Sequence, residues 1–488
     1  MKKEIYIIGS GFSSLSAACY LAKDGYAVTV LEKNATLGGR ARQLSKDGFT
    51  FDMGPTWYWM PDVFDRFFAD FNKKTSDYYE LEKLSPAYHV YFGKNDVVSV
   101  ADNLPEIRRT FESIEPGSGQ QLDRFMATAK NNYDIAIGDM VYKPGESFFE
   151  LVSVKTAIRL KRFLTSIRGD IRRKFNNRKL IQLLEFPVLF LGAKPSNTPS
   201  FYSFMNHADF GLGTWYPQKG MYTVVEAIEK LALELGVVFE TNAAVNQICC
   251  ENGKVSGLLV NGQFREATLV LSGADYHHTE QLLERKFRAY SDSYWKSRVF
   301  APSSLLFYLG FDKKIANVAH HTLFFDADFE QHAKDIYDLP KWPESPLFYA
   351  SFPSQTDESC APQGHDAAIL LIPLAPGLKD TQFLRDRYFE KIMHRLEEVT
   401  QQSLRNNLVF KESFCVNDFT NDYNSYKGNA YGMANTLLQT AFLRPKLRSR
   451  NVRNLYFTGQ LTVPGPGVPP ALISGKLSAA LIRKYSST

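Results

Sequence analysis

The sequence predicts a mixed α/β (α+β) fold with at least two domains that interleave along the chain. The 488 residues exceed the size at which one hydrophobic core usually stops growing. A strand, a helix and a second strand follow one another in the first 33 residues, whereas residues 86–213 mix helical patterns without an obvious sheet. A strand near 454–458 and a helix near 470–484 return to the first pattern at the end of the chain.

The composition is that of an ordinary globular protein, with 44% hydrophobic and 22% charged residues. No segment is long and apolar enough to predict a membrane-spanning helix. The five cysteines are scattered without the spacing of metal ligands or of a disulfide framework. This favours reduced thiols in a cytoplasmic protein, and we expect no metal site.

The N-terminal unit predicts a Rossmann-type dinucleotide-binding domain. Residues 4–8 (EIYII) and 28–33 (VTVLEK) predict strands, with a helix from about Ser13 to Gly25 between them. The turn before the helix reads GSGFSS, in which Gly9 permits a tight turn and Gly11 a close approach of the ligand. Backbone N–H groups and the positive end of the helix can bind a pyrophosphate there.

Three further side chains refine this prediction. Ser13 lies at the helix start, and Ser14 stands where a third glycine is usual but keeps a small residue between helix and strand. Glu32 ends the second strand, where a carboxylate can bind the ribose hydroxyls of an adenosine. An acid at this place favours an unphosphorylated ribose. NADP is therefore disfavoured, and NAD and FAD both remain.

The other elements follow from periodicity and turn signals. Asn-Gly pairs at 252–253 and 261–262 predict hairpins within a meander from Val245 to Leu271. Strands at 303–311 and 367–374 would belong to a second sheet. Further elements are expected as a strand at 237–240 and helices near 221–235, 380–400 and 433–443.

A basic segment stands out at residues 155–179, which hold ten Lys or Arg residues and a single acid, Asp170. Apolar residues recur there at helical steps, which predicts a basic amphipathic helix. It is either a solvated helix with its apolar stripe in the core, or a surface that lies on anionic lipid before the apolar residues 183–193. No nucleic-acid recognition motif accompanies it, and we expect no nucleic-acid partner. The stripe comprises Leu160, Leu164, Ile167, Ile171 and Phe175.

The segment LGGRARQ (37–43) decides between the two cofactors. Its glycines let the backbone run close to a cofactor, and Arg40 can reach the phosphates. With this segment directly after Glu32 and Lys33, the chain resembles the large FAD family that includes amine oxidases, protoporphyrinogen oxidases and phytoene desaturases. The resemblance implies a bound FAD that is contacted by Lys33, Gly38, Gly39, Arg40 and Ala41.

The segment DGFTFDMGPTWYWMPDVF (47–64) resembles the bacterial phytoene desaturases more closely. In that group, backbone of a Phe-Asp-x-Gly-Pro turn lies beside the isoalloxazine, which implies this role for Gly54, Pro55 and Thr56. Trp57 would contact the flavin and, with its neighbours, the substrate channel. The alternative for an aromatic cluster is core packing. The channel residues implied are Trp57, Tyr58, Trp59 and Tyr216.

Three later segments resemble the same group: 213–232, 301–311 and 428–445. Lys219 stands where a second glycine is common, which departs from the pattern of the local turn. The resemblance also places the backbone of Val245 at the adenine. In LYFTGQLTVPGPGVPPALISG (455–475), Pro469-Pro470 can start a helix whose positive end points at the flavin ring. Gly459, Gly467 and Val468 complete the implied cofactor site.

The resemblance implies a discontinuous FAD-binding domain and a substrate-binding domain. The substrate-binding domain would combine an antiparallel or mixed sheet with helices, and residues 151–193 would form a helical lobe on the membrane. The FAD-binding domain is expected at 1–85, 214–290 and 428–488, and the substrate-binding domain at 86–213 and 291–427.

The implied activity is FAD-dependent desaturation of a carotenoid, in which FAD accepts a hydride and the neighbouring carbon loses a proton. The substrate would be phytoene or a later carotenoid, 1'-hydroxylated or monocyclic, drawn from a membrane surface, with oxygen or a quinone as electron acceptor. An amine or protoporphyrinogen oxidase and a non-redox prenyl-chain binding protein are the alternatives. No catalytic base is assigned: Asp209 and Asp275 are conceivable, and His277 and His278 are expected to be structural.

Overall fold

A parallel sheet forms the centre of the first domain. The computed structural model describes residues 3–138, 140–147, 150, 165–189 and 192–486. Within them, five parallel strands pair in the order Leu455–Phe457, Val270–Ser272, Glu4–Ile8, Ala27–Leu31 and Val238–Glu240. The Ile, Val and Leu residues of the first four of these strands are buried, as expected for a sheet covered on both faces, whereas Val238 on the edge strand is exposed. The N-terminal strand–helix–strand prediction is confirmed.

The first helix, Phe12–Lys23, is buried on nearly all sides because other helices pack closely against it. The C-terminal helix, Val468–Ser486, approaches so closely that a Cβ atom on Gly475 would lie 2.4 Å from the Ser13 carbonyl oxygen. Such contacts require small residues, which explains the Ser-Ser-x-Ser-Ala-Ala run in the first helix. The N-terminal and C-terminal motifs are thereby held against each other.

A second, mixed sheet forms the other half of the molecule. In the described part of the chain its seven strands are ordered Leu408–Phe414, Ser303–Phe311, Asp366–Leu374, Phe348–Ser351, His321–Phe324, Tyr88–Gly93 and Asp96–Val100. The two strands near residue 90 correct the expectation that residues 86–213 lack a sheet. They escape prediction because Tyr88–Gly93, which pairs with Asp96–Val100, joins the sheet only through His321–Phe324, a partner far away in sequence.

The predicted meander exists, with one correction. Antiparallel strands Val245–Glu251, Lys254–Val260 and Gln263–Glu266 are joined by Asn-Gly turns whose residues all have positive φ. Val270–Ser272 leaves this meander and joins the parallel sheet instead. Within the described residues there are also two two-stranded sheets. One consists of Gln43–Lys46 and Phe49–Asp52, the other of Leu81–Lys83 and Trp215–Pro217.

Helices at 221–235, 380–400 and 470–484 are confirmed within two residues, but the helix at 433–443 is wrong. Short 3-10 turns occur there instead, at Leu437–Gln439 and Ala441–Leu443. The helix does not form because residues 430–434 use backbone N–H and C=O groups for hydrogen bonds with residues 299–302. In the part of the chain that the structure describes, the other α-helices are Pro61–Ala69, Leu104–Ile114, Ser118–Gly138, Ile167–Ile171, Arg178–Leu189, Phe204–Asn206, Tyr222–Glu234, Tyr276–Gln281, Asp292–Ser297, Phe329–Tyr337, Gln382–Thr400 and Val416–Tyr423.

The basic segment is not one helix. Residues 151–164, with Leu160 and Leu164, lie outside the described residues. From residue 165 onward, a short helix at Ile167–Ile171 is separated from Arg178–Leu189 by a non-helical stretch. The described apolar residues are buried in the core, which favours the core-stripe alternative over insertion into lipid. These residues are Ile167, Ile171, Phe175, Leu183, Leu184, Phe186 and Val188.

Several bases of this segment are paired within the protein. Arg168 and Arg172 both bind Glu330, at 2.6 and 2.8 Å, and Arg172 also reaches the buried Glu185 at 3.2 Å. Lys174 contacts Asp170 at 2.6 Å. These ion pairs leave less positive charge for anionic headgroups than the sequence alone suggests.

Candidate active site

One continuous cavity of about 810 Å³ runs between the two sheets. At one end it meets the carboxyl ends of the parallel strands, where ligands bind in open α/β sheets. At the other end it is walled by apolar and aromatic side chains of the second sheet and of the helix Phe329–Tyr337. The predicted cofactor residues that line it are Gly9, Gly11, Ser13, Glu32, Lys33, Gly38, Gly39, Arg40, Ala41, Gly54, Pro55, Thr56, Trp57, Val245, Gly459, Gly467 and Val468.

The turn before the first helix has the geometry of a phosphate site. Gly9 has a φ of +84°, a left-handed conformation that favours glycine. A Cβ atom on Gly11 would meet no protein atom within 4 Å, so this backbone faces the open cavity. Gly11 caps the helix without a side-chain hydrogen bond, which leaves the first N–H groups available to an anion.

Ser14 is the predicted cofactor residue that does not line the cavity. Its side chain points at the backbone of Gly273, where any Cβ atom would lie 1.9 Å from Ser14 Oγ. The motif lacks its third glycine, and Gly273, which follows the neighbouring strand Val270–Ser272, provides the space instead. Ser14 therefore permits close helix–sheet packing, and its side chain faces Gly273 and not the cavity.

Glu32 is held at the end of the second strand by its own hydrogen bonds. Its Oε2 atom accepts from Ser10 N at 3.0 Å and from Ser10 Oγ at 2.7 Å, and Oε1 accepts from Asn34 N at 2.9 Å. The carboxylate is buried yet borders the cavity, with lone pairs remaining for ligand hydroxyls. This is the arrangement that ribose recognition requires.

Arg40 brings a buried positive charge to the same end of the cavity. Its guanidinium donates to Ser425 Oγ at 2.9 Å and to the Asn429 carbonyl oxygen at 3.4 Å, while Nε has no partner among the described residues. Burial lowers the pKa of Arg40, and the nearby Asp275 carboxylate opposes this shift. A guanidinium with a spare N–H beside a phosphate-binding turn fits an anionic ligand.

The Gly54–Pro55–Thr56 turn is pressed against the glycine segment that precedes it. A Cβ atom on Gly54 would lie 2.0 Å from the Arg40 carbonyl oxygen. Just before this turn, the buried Asp52 accepts from Met221 N at 2.7 Å and from Tyr222 N at 3.1 Å, which holds the start of the helix Tyr222–Glu234. Burial raises the pKa of Asp52 to about 7.

The departure at Lys219 is accommodated locally. Lys219 takes a left-handed φ of +70°, the conformation that the usual glycine would adopt without strain. Its backbone N–H donates to Asp357 Oδ2 at 2.7 Å, which holds the turn in place. The turn therefore forms despite the substitution.

The C-terminal loop closes the cofactor end of the cavity. Gly459 and Gly467 have φ values of +109° and +116°. The following helix begins at Val468 with Pro469 and Pro470 in its first turn, and this end of the helix borders the cavity. The positive end of its macrodipole favours negative charge at that point.

The predicted channel residues divide into two pairs. Trp57 and Trp59 line the cavity, with ring centroids 5.2 Å apart. Tyr58 points the other way, stacks on Phe64 and bonds Tyr79 OH at 2.8 Å, because neighbouring residues of an extended segment face opposite sides. Tyr216 is also buried outside the lining and donates to Asp357 at 3.2 Å. For Tyr58 and Tyr216, core packing replaces the channel role.

Neither candidate carboxylate is placed to receive a proton from a substrate. Asp275 borders the cavity at the dinucleotide end, where it caps a helix by accepting from His278 N at 3.2 Å and from Tyr426 N at 3.3 Å. Asp209 lies outside the lining and accepts from Tyr88 OH at 2.8 Å. Burial raises the pKa of Asp209 to about 8.

His277 and His278 make structural contacts. His278 Nε2 lies 3.2 Å from Asn424 Nδ2, and the ring of His277 packs on Tyr426 with centroids 4.2 Å apart. Burial lowers the pKa of His278 to about 4. Across the described ranges, no three His, Cys, Asp or Glu side chains come together as a metal site would require.

The sequence did not identify the far wall of the cavity. Its residues come from separate elements whose buried apolar patterns look like ordinary core. Only tertiary contact shows that they face a cavity; they include Phe186, Leu323, Phe325, Phe329, Ile336 and Leu371.

The glycine turns, Glu32, Arg40 and the C-terminal helix together fit a dinucleotide, and Gly54, Pro55 and Thr56 line the same cavity. The chain matches the family model "Flavin containing amine oxidoreductase" over residues 12–483. It is 41% identical over 481 residues to the carotenoid 3,4-desaturase of Haloarcula japonica, covering 98% of this chain and 97% of that protein.

A second relative is the 4,4'-diapophytoene desaturase of Staphylococcus haemolyticus, 32% identical over 491 residues, with 97% of each chain covered. An oxidoreductase from Methanosarcina mazei has the same fold, with a TM-score of 0.63 at 16% identity over 98% of this chain and 100% of that chain. Because the family model and both relatives span nearly the whole sequence, the chain belongs to the flavin-containing amine oxidoreductase family and is an FAD-dependent oxidoreductase.

Proposed function

We propose that the protein is a carotenoid desaturase that acts on an acyclic C40 carotenoid bearing a hydroxyl group at one end. Relatives named as carotenoid desaturases over their full length support the reaction class. FAD supplies the hydride acceptor when bound. The aromatic and aliphatic far wall provides a dry surface for a polyene, and aromatic faces can stabilise a delocalised allylic cation.

Two buried hydroxyl groups support the proposal that the substrate is hydroxylated. Ser304 Oγ and Tyr337 OH belong to residues that line the cavity; among the described residues Tyr337 OH has no hydrogen-bond partner, and Ser304 Oγ has only the nearby Tyr431 hydroxyl. Tyr431 lies beside both: burial raises the pKa of Tyr431 and a hydrogen bond with the Ser304 hydroxyl lowers it, while burial, with a smaller contribution from Tyr431, raises the pKa of Tyr337. An unpaired buried hydroxyl costs about 1–3 kcal/mol, so a ligand oxygen at this point would be strongly favoured.

A hydroxyl group at the end of the substrate also agrees with the name of the first relative. In a carotenoid hydroxylated at C1, the C3–C4 bond begins two bonds from the hydroxyl-bearing carbon. An oxygen held at Ser304 and Tyr337 would therefore fix a bond near its end, as in the desaturation named for the Haloarcula japonica protein. A hydrocarbon substrate such as phytoene has no group to satisfy these hydroxyls.

The test compares a 1'-hydroxylated acyclic carotene with the same carotene lacking the hydroxyl, both in liposomes. We expect kcat/KM to favour the hydroxylated substrate by roughly 10–100-fold, the equivalent of one or two hydrogen bonds. Ser304→Ala and Tyr337→Phe should each reduce that ratio and leave turnover of the unhydroxylated carotene unchanged. Ser303→Ala is the matched control, because Ser303 Oγ donates to the Gly428 carbonyl oxygen and lies outside the lining.

A wild-type ratio near one would contradict the hydroxylated substrate and point to water at the two hydroxyls. Turnover of an amine or a porphyrinogen, with no desaturation of any carotenoid, would overturn the proposed reaction itself. Absence of the flavin absorbance band would instead indicate a prenyl-chain binding protein.

The proposal includes a membrane surface as the source of the insoluble substrate and oxygen or a quinone as the electron acceptor. No helix in the described ranges is long and apolar enough to span a bilayer. The cavity reaches Thr440, Ala441 and Phe442, beside the exposed side chains of Leu438 (77%) and Leu443 (40%). Exposed leucines at the mouth of an apolar cavity suit insertion into the lipid interface.

We expect Leu438→Gln with Leu443→Gln to reduce cosedimentation with phosphatidylcholine–phosphatidylglycerol vesicles by about 10-fold or more, since each buried leucine contributes about 1.5–3 kcal/mol. Phe264→Gln is the control, because Phe264 is 60% exposed on a strand outside the cavity. Equal sedimentation of the double variant and the wild type would place the membrane contact elsewhere.

A further inference from the structure

A chain of hydrogen bonds leads from the cavity wall into the second sheet. Thr56 Oγ1 lies 2.8 Å from Tyr349 OH, and Tyr349 OH lies 2.7 Å from His321 Nδ1. Thr56 ends the turn at the flavin end of the cavity, and both Thr56 and Tyr349 line the cavity. The chain therefore begins where the reacting carbons of a substrate would lie.

His321 ends this chain as a buried imidazole without a carboxylate partner. It is 0% exposed on the strand His321–Phe324, and its Nε2 atom has no hydrogen-bond partner among the described residues. Burial lowers the pKa of His321 well below its usual value, and the adjacent His320 lowers it further. The ring is therefore neutral, and Nδ1 can accept a proton if Nε2 carries the hydrogen.

Trp57 covers one face of this imidazole. The two rings are stacked with centroids 4.1 Å apart and planes at 10°. An indole face attracts a cation, so it stabilises an imidazolium more than a neutral ring. The arrangement fits a histidine that becomes positively charged for a short part of a cycle.

We infer that Tyr349 is the catalytic proton acceptor of the desaturation and that His321 acts through it. This rests on the proposed function. After one carbon has lost a hydride, the C–H bond on its neighbour breaks and its electron pair becomes the new π bond. The released proton passes to the Tyr349 oxygen while the Tyr349 hydroxyl proton passes to His321 Nδ1. The substrate becomes a neutral polyene and His321 an imidazolium, so charge is conserved.

A weakly basic imidazole suffices for this step, because an allylic carbocation is a far stronger acid than an imidazolium. When the product leaves, the proton returns through Tyr349 to the cavity and from there to solvent. Thr56 orients the Tyr349 hydroxyl and is a positioning residue. Asp209 and Asp275 are not needed as bases.

The first test is Tyr349→Phe, which keeps the ring and removes the hydroxyl. We expect kcat to fall on the order of 100-fold, the usual contribution of a general base, with FAD content and substrate KM changed less than about 3-fold. Deuterium at the carbon that loses the proton should give a larger isotope effect in the variant, because proton loss becomes rate-limiting. Tyr388→Phe is the control, since Tyr388 OH donates to the Pro343 carbonyl oxygen outside the cavity.

The second test measures the protonation state of His321 by NMR. In ¹⁵N-histidine-labelled holoprotein without substrate, we expect His321 Nδ1 to be unprotonated and its chemical shift to move in Tyr349→Phe. His321→Ala should lose kcat and regain part of it with added imidazole, whereas His320→Gln should keep kcat, because His320 bonds Thr356 and not Tyr349.

A protonated Nδ1, or an unchanged isotope effect in Tyr349→Phe, would overturn the relay. Wild-type protein that desaturates no carotenoid would instead overturn the proposed function, and the nitrogen spectrum would still report on the hydrogen-bond chain. The two failures are therefore distinguishable.

Discussion

Glu32→Ala is expected to release FAD from the protein. The ribose hydroxyls lose a charged acceptor, and hydrogen bonds to charged groups contribute about 1.5–3 kcal/mol each. We expect the dissociation constant of FAD to rise roughly 10–150-fold for each ribose hydrogen bond lost. Fluorescence quenching on titration of FAD into apoprotein measures this directly.

The same substitution also leaves Ser10 N, Ser10 Oγ and Asn34 N without their acceptor. We therefore expect some loss of apoprotein stability as well. Glu240→Ala is the control, because Glu240 ends the adjacent strand but binds Arg265 at 2.7 Å and lies outside the cavity lining. An unchanged FAD dissociation constant in Glu32→Ala would refute the ribose assignment.

Gly54→Ala is expected to damage both the fold and the cofactor site. The added Cβ atom would lie 2.0 Å from the Arg40 carbonyl oxygen and 3.0 Å from its carbonyl carbon, and backbone cannot move aside as a flexible side chain can. Overpacking usually costs about 1–3 kcal/mol, and a contact with backbone belongs at the upper end of that range. Urea unfolding of apoprotein and FAD titration measure the two effects separately.

Gly11→Ala separates the cofactor effect from the folding effect. A Cβ atom on Gly11 meets no protein atom within 4 Å, so apoprotein stability should stay the same while FAD binding is lost to a clash with the ligand. Gly138→Ala, at the end of the helix Ser118–Gly138 with equally open surroundings, should change neither. Equal stability of Gly54→Ala and wild-type apoprotein would show that the turn adapts to the added methyl group. The close contact between Gly54 and the Arg40 carbonyl group would then not limit the stability of the protein.

Nearly all the residues that the sequence assigns to the cofactor line one end of the cavity, because that end depends on local backbone geometry. Gly9, Gly11 and Gly467 are needed where φ is positive or where a ligand approaches the chain, and Glu32 follows its strand at a fixed distance. Such requirements restrict which residue types can occupy each position, so that a sequence pattern reveals them. Ser14 departs from the glycine motif, and the residue that leaves room for its side chain, Gly273, is far away in sequence. The local pattern therefore does not reveal it.

The substrate end was not predictable in this way. Which aromatic residue faces the cavity depends on the direction of an extended segment, and this is why Tyr58 and Tyr216 lie outside the lining while Trp57 and Trp59 belong to it. The helix expected at 433–443 failed because strand-like pairing with residues 299–302 outweighed helical propensity.

By itself, the sequence determined the dinucleotide-binding fold, the flavin family and the residues whose conformation the cofactor dictates. Only the tertiary structure decided the strand order of the second sheet, the pairing of the basic segment with acids such as Glu330, and the meeting of Thr56, Tyr349 and His321. The physical reason is that a hydrogen-bond chain across three distant segments needs only one donor or acceptor from each. Single polar residues of that kind carry no periodicity or spacing that a sequence pattern could reveal.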